Sequence, residues 1–415
     1  MVPLIQNFRY RPEVDGLRAI AVLAVVLFHS GLGLPGGYIG VDVFFVISGY
    51  LITSLIINDL QQGKFTLANF WERRARRIIP ALVTVVLATL IAGWFLLLPK
   101  DYVALGKSAA CQSVFGANIH FWLTPVGGYF TAGTADEMPL LHTWSLAVEE
   151  QFYMIVPLTL AAIFRFPGLR TRRMLLAIFS TGILASFLVS VYGVAHHRSA
   201  AFYLLPTRAW ELLLGSALAI FPSSWIIRHR LTRESASYLG LAGILFACFF
   251  YTDTTPFPGL AALPPCLGTA LIVWSNNRLA GDSPPTSLGR FLATRAVVFV
   301  GLISYSLYLW HWPIFAFSKY YLAGEPCAFG YRIAMVALGL ILAILSWRFI
   351  ETPFRQKSVC GNRKSIFRFA VTALAISFAF GTAIFSLKGL PSRLPDNIRE
   401  ALSVAPQDDL LLLLC

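Results

Sequence analysis

The sequence predicts an all-α protein that crosses a lipid bilayer about eleven times, N-terminus inside and C-terminus outside. Three observations carry that expectation. The 415 residues are 57% hydrophobic and 13% charged, against about 45–50% and about 25% in soluble domains. Apolar runs near spanning length follow one another along the chain. The basic residues collect in alternate connections between those runs, as the positive-inside rule requires.

The runs lie near 17–34, 38–57, 78–98, 146–164, 174–195, 208–221, 236–251, 257–275, 297–317, 331–350 and 366–387. The first and sixth are short and hold polar residues, and only the turn-like TDTTP separates the seventh from the eighth. With an inside N-terminus, the inside connections carry 23 basic residues. The outside ones carry five, namely Lys100, Lys107, Arg198, Arg208 and Lys319. Dropping one weak span would invert every later loop. Segment 99–140 is a long outer connection rich in Gly, Thr and aromatics, a length that carries function or short helices of its own. Residues 388–415 begin as the polar KGLPSRLPDNIREALSVAPQDD, which reads as an extracytoplasmic linker. They end in LLLLLC, which is too short for a span and reads as a truncated end.

A net charge of +13 would suggest nucleic acid in a soluble protein, but no nucleic-acid module or zinc spacing accompanies it. Six scattered cysteines without CxxC predict neither a disulfide framework nor a metal. The N-terminus lacks a cleavage site for a signal peptide.

Ionisable residues inside a membrane mark a cavity or a partner, and four clusters stand out. In YRPEVDGLRAIAVLAVVLFHSG, Asp15 and Arg18 sit at the inner mouth of the first helix. His29 follows Arg18 by eleven residues, on the same face and roughly 16 Å further along the axis. Imidazole suits proton transfer near neutral pH; the plainer alternative is a histidine hydrogen-bonded between helices. In GGYIGVDVFFVISGYLIT, Asp42 either orients His29 or pairs with an arginine, and Ser48 lies six residues on. In FWERRARRIIP, Arg73 with Arg76 and Arg74 with Arg77 form overlapping RxxR pairs suited to phosphate, or to ordinary lipid anchoring. In LHTWSLAVEEQFYMIVP, Glu149 and Glu150 point about 100° apart, so one faces a cavity and the other a neighbouring helix. In SYSLYLWHWPIF, Ser304, Tyr305 and His311 add polarity. His311 reads mainly as aromatic-belt packing, with acceptor contact as the alternative. In SWRFIETPFR, Arg348 and Glu351 read as a charge pair.

The segments YRPEVDGLRAIAVLAVVLFH, GGYIGVDVFFVISGYLIT, FWERRARRIIPAL, TWSLAVEEQFY and SYSLYLWHWP together resemble the acyltransferase-3 family, over roughly residues 8–355. The resemblance implies a multi-pass protein of the bacterial inner membrane. It would move an acyl group, commonly acetyl, from cytoplasmic acyl-coenzyme A to surface carbohydrate such as lipopolysaccharide O-antigen. The family's Arg-then-His pattern falls on Arg18 and His29, and its RxxR on Arg74 and Arg77, with Arg73 and Arg76 as the second register. Its WSLxxEEQF places Trp144, Ser145, Glu149 and Glu150. Some relatives add one further span leading to a periplasmic hydrolase-type domain of the Ser-Gly-Asn-His class. Here 366–387 resembles that span and 388–415 the linker, while the domain itself is missing from this sequence.

These readings combine into one expected scheme. Arg74, Arg77, Arg73, Arg76 and Arg18 hold the phosphates of acyl-coenzyme A, which is the donor; no metal is expected. His29 is the general base or transient acyl carrier, oriented by Asp42 or Glu149. Trp144, Ser145 and His311 contact substrate. Expected partners are the bilayer, a carbohydrate acceptor and a separate periplasmic acyl-transferring domain. The rival reading is a proton-coupled transporter or a lipid or glycan flippase, but repeats and paired broken helices are lacking.

Overall fold

Helix follows helix because apolar runs of this length must satisfy their backbone polar groups internally when lipid is the solvent. The computed structural model describes residues 10–124, 138–222, 225, 227–277, 284–322 and 328–404. In chain order the α-helices are α1 (Pro12–His29), α2 (Gly40–Gln61), α3 (Leu67–Leu96), α4 (Pro99–Ser113), α5 (Ala117–Leu123), α6 (Thr143–Arg165), α7 (Arg172–His196), α8 (Arg198–Tyr203) and α9 (Leu205–Ala219). They continue as α10 (Arg230–Phe250), α11 (Leu263–Ser275), α12 (Ser287–Leu292), α13 (Arg295–Tyr321), α14 (Phe329–Ser346), α15 (Thr352–Arg355), α16 (Arg363–Ser386) and α17 (Asp396–Val404). Side-chain caps mark several starts: Thr66 on α3, Thr171 on α7, Thr286 on α12 and Asn362 on α16.

Among the described residues, seven helical stretches are long and apolar enough to cross a membrane: Gly37–Gln61, Leu67–Leu96, Thr143–Arg165, Arg172–His196, Arg295–Tyr321, Phe329–Arg355 and Arg363–Ser386. The other four expected spans fall on α1, α9, α10 and α11. They are the first, sixth, seventh and eighth runs, which the sequence already marks as short, polar or closely joined. α1 carries Glu13, Asp15 and Arg18, α9 has 15 residues and α11 has 13. The expected short helices of the 99–140 connection are α4 and α5; 125–137 lie outside the described residues, as do 405–415 with the LLLLLC end.

Gly37–Gln61 is the best buried, with 78% of its apolar stretch inside the bundle, against 17%, 22% and 28% for Phe329–Arg355, Arg172–His196 and Arg363–Ser386. α2 is therefore central, and α7, α14 and α16 lie outside with apolar faces turned outward, as lipid contact demands. Close backbone approach sets the inner contacts. A side chain at Gly301 of α13 would put its Cβ 1.9 Å from the Asp15 carbonyl oxygen of α1. At Gly49 of α2 it would meet the Leu212 oxygen of α9 at 1.8 Å. Such small-residue contacts let helices pack where apolar burial gives no driving force. α16 packs on α3 and α4.

Two local expectations need correction. Arg208 is not a loop cation but a buried residue in the first turns of α9, at 1% exposure. Arg348 and Glu351 form no pair among the described residues: Arg348 is exposed and Glu351 is buried. The stretch Trp347–Glu351 is π-helical, and the wider turn turns aside the i,i+3 neighbours that an α-helix would bring together.

Candidate active site

A cavity of about 310 Å³ opens among α1, α2, α3, α6, α13 and the π-helical turn. Its basic wall is Arg11, Arg18, Arg74, Arg77 and Arg355, and its acidic groups are Asp15, Glu149 and Glu351. Helical spacing explains the grouping. Asp15 and Arg18 are three residues apart on α1, just after Arg11 at its N-cap, and Ser304 and Tyr308 are four apart on α13.

Hydrogen bonds hold this lining. Arg18 Nη1 donates to Asp15 Oδ1 at 3.1 Å. The Tyr10 phenol donates to Asp15 Oδ2 at 2.8 Å, and burial followed by that bond pushes its pKa up to about 12. Arg11 is spent locally, on Glu13, the Tyr50 hydroxyl and the Val273 carbonyl, each at 2.8 Å. Glu149 accepts from Ser48 at 2.8 Å and from Tyr153 at 3.2 Å. Arg74 lies over the Tyr153 ring at 5.5 Å. Glu351 accepts from Ser306. Glu149 faces the cavity and Glu150 does not, the division expected for adjacent helical carboxylates.

Towards the other end of the bundle the cavity stops at Ser145 and Tyr308, whose hydroxyls are 2.7 Å apart. The His142 carbonyl lies 2.9 Å from the Tyr308 hydroxyl and 3.3 Å from that of Ser145, and accepts from this pair. One turn further along α13, His311 Nδ1 is 2.6 Å from the Tyr308 carbonyl oxygen, and its Nε2 is 3.0 Å from His29 Nδ1. The two ring planes lie 20° from parallel, with centroids 5.2 Å apart, and Trp312 meets His29 edge-on at 4.5 Å. The His142 ring stands 5.9 Å from that of His311, and neither of its nitrogens has a hydrogen-bond partner among the described residues. His311 is buried and His29 half-buried. A polar seam thus leads from the arginines through Ser145 and Tyr308 to a group of three histidines, while the open space itself ends short of His29.

The four arginines of FWERRARRIIP divide by register. Arg74 and Arg77 line the cavity. Arg73 pairs with Asp59 at 2.7 Å. Arg76 donates to Glu72 and to the Cys360 and Asn362 carbonyls, tying α3 to the turn before α16. Arg73 and Arg76 border a shallower basic recess that shares Arg77 and Arg355 with the cavity.

Asp42 and Trp144 belong to neither. Asp42 does not orient His29: its Oδ1 is 3.2 Å from Arg208, which lies 3.1 Å from Glu211. Phe45, Trp144, Phe202 and Phe257 surround that guanidinium at 5.4–5.8 Å. Asp42 thus takes the arginine pairing, the other alternative the sequence left open. With Cys266, Asp42 and Glu211 bring possible ligand atoms within 4.8 Å, but the guanidinium already fills the cation's place there.

Tyr308, Arg355 and Arg208 were not singled out from the sequence. Tyr308 had a signal, lying four residues after Ser304 and three before His311. Arg208 had none, because in the sequence it stands among the cations of the outside connections.

The acyltransferase-3 family model, described as an acyltransferase domain, matches residues 11–351. O-acetyltransferase OatA of Staphylococcus aureus strain NCTC 8325 is 31% identical over 363 residues, covering 84% of this chain and 58% of the relative. OatA of strain MRSA252 matches with the same identity and coverage. The chain therefore spans about three fifths of the length of these curated relatives. No solved structure matches it. With a family match running from the arginines of α1 to the π-helical turn that closes the cavity, the chain belongs to the acyltransferase-3 family, as an acyltransferase domain in a multi-pass membrane protein.

Proposed function

We propose that this domain takes an acetyl group from acetyl-coenzyme A on the cytoplasmic side of the inner membrane and passes it towards a carbohydrate hydroxyl on the other side. That orientation rests on the sequence reading of about eleven spans with the basic connections inside. The observation that carries the reading is the cavity with five arginines at one end and a hydrogen-bonded path to His29 beyond the other. Arg74, Arg77, Arg18 and Arg355 would grip the donor's phosphates, since guanidinium forks suit phosphate oxygens. A volume near 310 Å³ suits the slender thioester arm, because ligand pockets begin at about 300 Å³.

In the transfer, His29 takes the proton of the attacking hydroxyl while its oxygen bonds to the thioester carbonyl carbon. The carbon–sulfur bond breaks and the thiolate leaves with a proton. Alternatively the imidazole carries the acetyl group for one step. Tyr308 must turn aside for the acyl carbon to reach His29. The OatA name supports O-acetylation; a separate periplasmic domain would complete delivery to the final acceptor. Transport or flipping without covalent chemistry gains no support from the geometry.

Thiol release from acetyl-coenzyme A by the purified protein in nanodiscs tests the reading. His29→Ala should lower it by about 10²–10⁴-fold, the usual share of a general base, with unchanged insertion. Release at the wild-type rate refutes the role of His29.

A further inference from the structure

We propose that His311 is a positioning residue that fixes which nitrogen of His29 carries the proton. The inference deepens the reading just given and rests on His29 being the reacting imidazole. It starts from a backbone atom whose role is fixed. The Tyr308 carbonyl oxygen can only accept, and His311 Nδ1 lies 2.6 Å from it. That nitrogen therefore bears the hydrogen. A neutral imidazole has one N–H, so Nε2 of His311 holds a lone pair.

His29 Nδ1 lies 3.0 Å from that lone pair, and two lone pairs cannot share a hydrogen bond. His29 Nδ1 is therefore the donor, and its single hydrogen leaves Nε2 as the basic nitrogen. The alternative puts hydrogens on both nitrogens of His311. That requires a cation on a side chain that is 1% exposed, where burying an uncompensated charge is costly. Among the described residues no carboxylate bonds to His311, and the groups around its ring are His29, His142, Tyr308 and Phe315.

The chain carbonyl–His311–His29 thus does with a main-chain oxygen what a carboxylate does in a hydrolase triad: it selects the tautomer and fixes the ring. The anchor cannot titrate, so the selected tautomer persists wherever both imidazoles are neutral. The close backbone approach of α1 and α13 at Gly301 holds the register.

The test uses the full chain in nanodiscs, labelled with ¹⁵N-histidine, with the His29 signals assigned by their loss in His29→Ala. The wild type should show His29 protonated at Nδ1 and unprotonated at Nε2. His311→Phe keeps the ring volume and removes the acceptor. It should turn the His29 signals to a mixture or to Nε2–H, and lower thiol release from acetyl-coenzyme A by about 10²-fold, the lower end for proton-transfer help. KM should stay near wild type. His311→Gln, whose amide oxygen can take the place of Nε2, should restore the Nδ1–H signal and most of the rate.

A wild-type spectrum with Nε2–H on His29 overturns the inference without any variant. So does an unchanged Nδ1–H signal in folded His311→Phe. If the tautomer responds as stated but His29→Ala keeps full thiol release, the enzymatic reading of His29 fails while the tautomer assignment stands.

Discussion

Two buried polar regions lie side by side in this bundle and do opposite things with charge. In the first, Arg208 sits between Asp42 and Glu211 at 0–1% exposure, boxed by four aromatic rings. Its charges answer one another at 3.1–3.2 Å. In the second, five arginines face three carboxylates around a cavity of about 310 Å³, so cations outnumber anions. The first can only hold helices together. The second has cationic surplus and room, which is what a phosphate-bearing donor requires. Intramembrane charge therefore marks function only where it comes with space and imbalance.

That contrast can be broken at either end. The largest expected effect is in the sealed cluster. Arg208→Met leaves two carboxylates buried without their cation, and breaking such a pair costs about 3–5 kcal/mol. A sharp fall in melting temperature in detergent checks this; an unchanged melting temperature would mean that the cluster is not structural. Next come Arg74→Ala and Arg77→Ala. Each should remove a charge-assisted contact worth about 1.5–3 kcal/mol, raising KM for acetyl-coenzyme A about tenfold or more with little change in melting temperature. Arg73→Ala, whose partner is Asp59, should raise KM less than either. The smallest effect belongs to Tyr308→Phe, which loses bonds to Ser145 and the His142 carbonyl at about 1 kcal/mol each. Its rate should fall a few-fold while the melting temperature drops by a few degrees.

The helices were legible because apolar length is a property of contiguous residues: each expected run overlaps a helix, and seven of the helical stretches are long and apolar enough to cross a membrane. The weak runs were weak for a physical reason. α1 carries cavity charges, and α9 and α11 are short helices wedged against neighbours. Side-chain partners were far less legible. Periodicity gave the shared face of Arg18 and His29 and the division between Glu149 and Glu150, since both depend on one helix. It could not give the meeting of His29 with His311, 282 positions apart, so His311 read as belt packing. Asp42 went to Arg208 for the same reason. Trp144 went with it, and packs on that guanidinium rather than lining the cavity. The Arg348–Glu351 pairing failed because a π-helical turn breaks the register on which it was built.

The central claim is that one path through the bundle joins the arginines to His29 and carries an acyl group across the membrane. Proteoliposomes with the N-terminus outward can be given ¹⁴C-acetyl-coenzyme A outside and a chito-oligosaccharide inside, together with a periplasmic acetyl-delivering domain. The account predicts label on the enclosed sugar with the wild type and none above background with His29→Ala. Equal label with both, or label confined to the side of the donor, would contradict it.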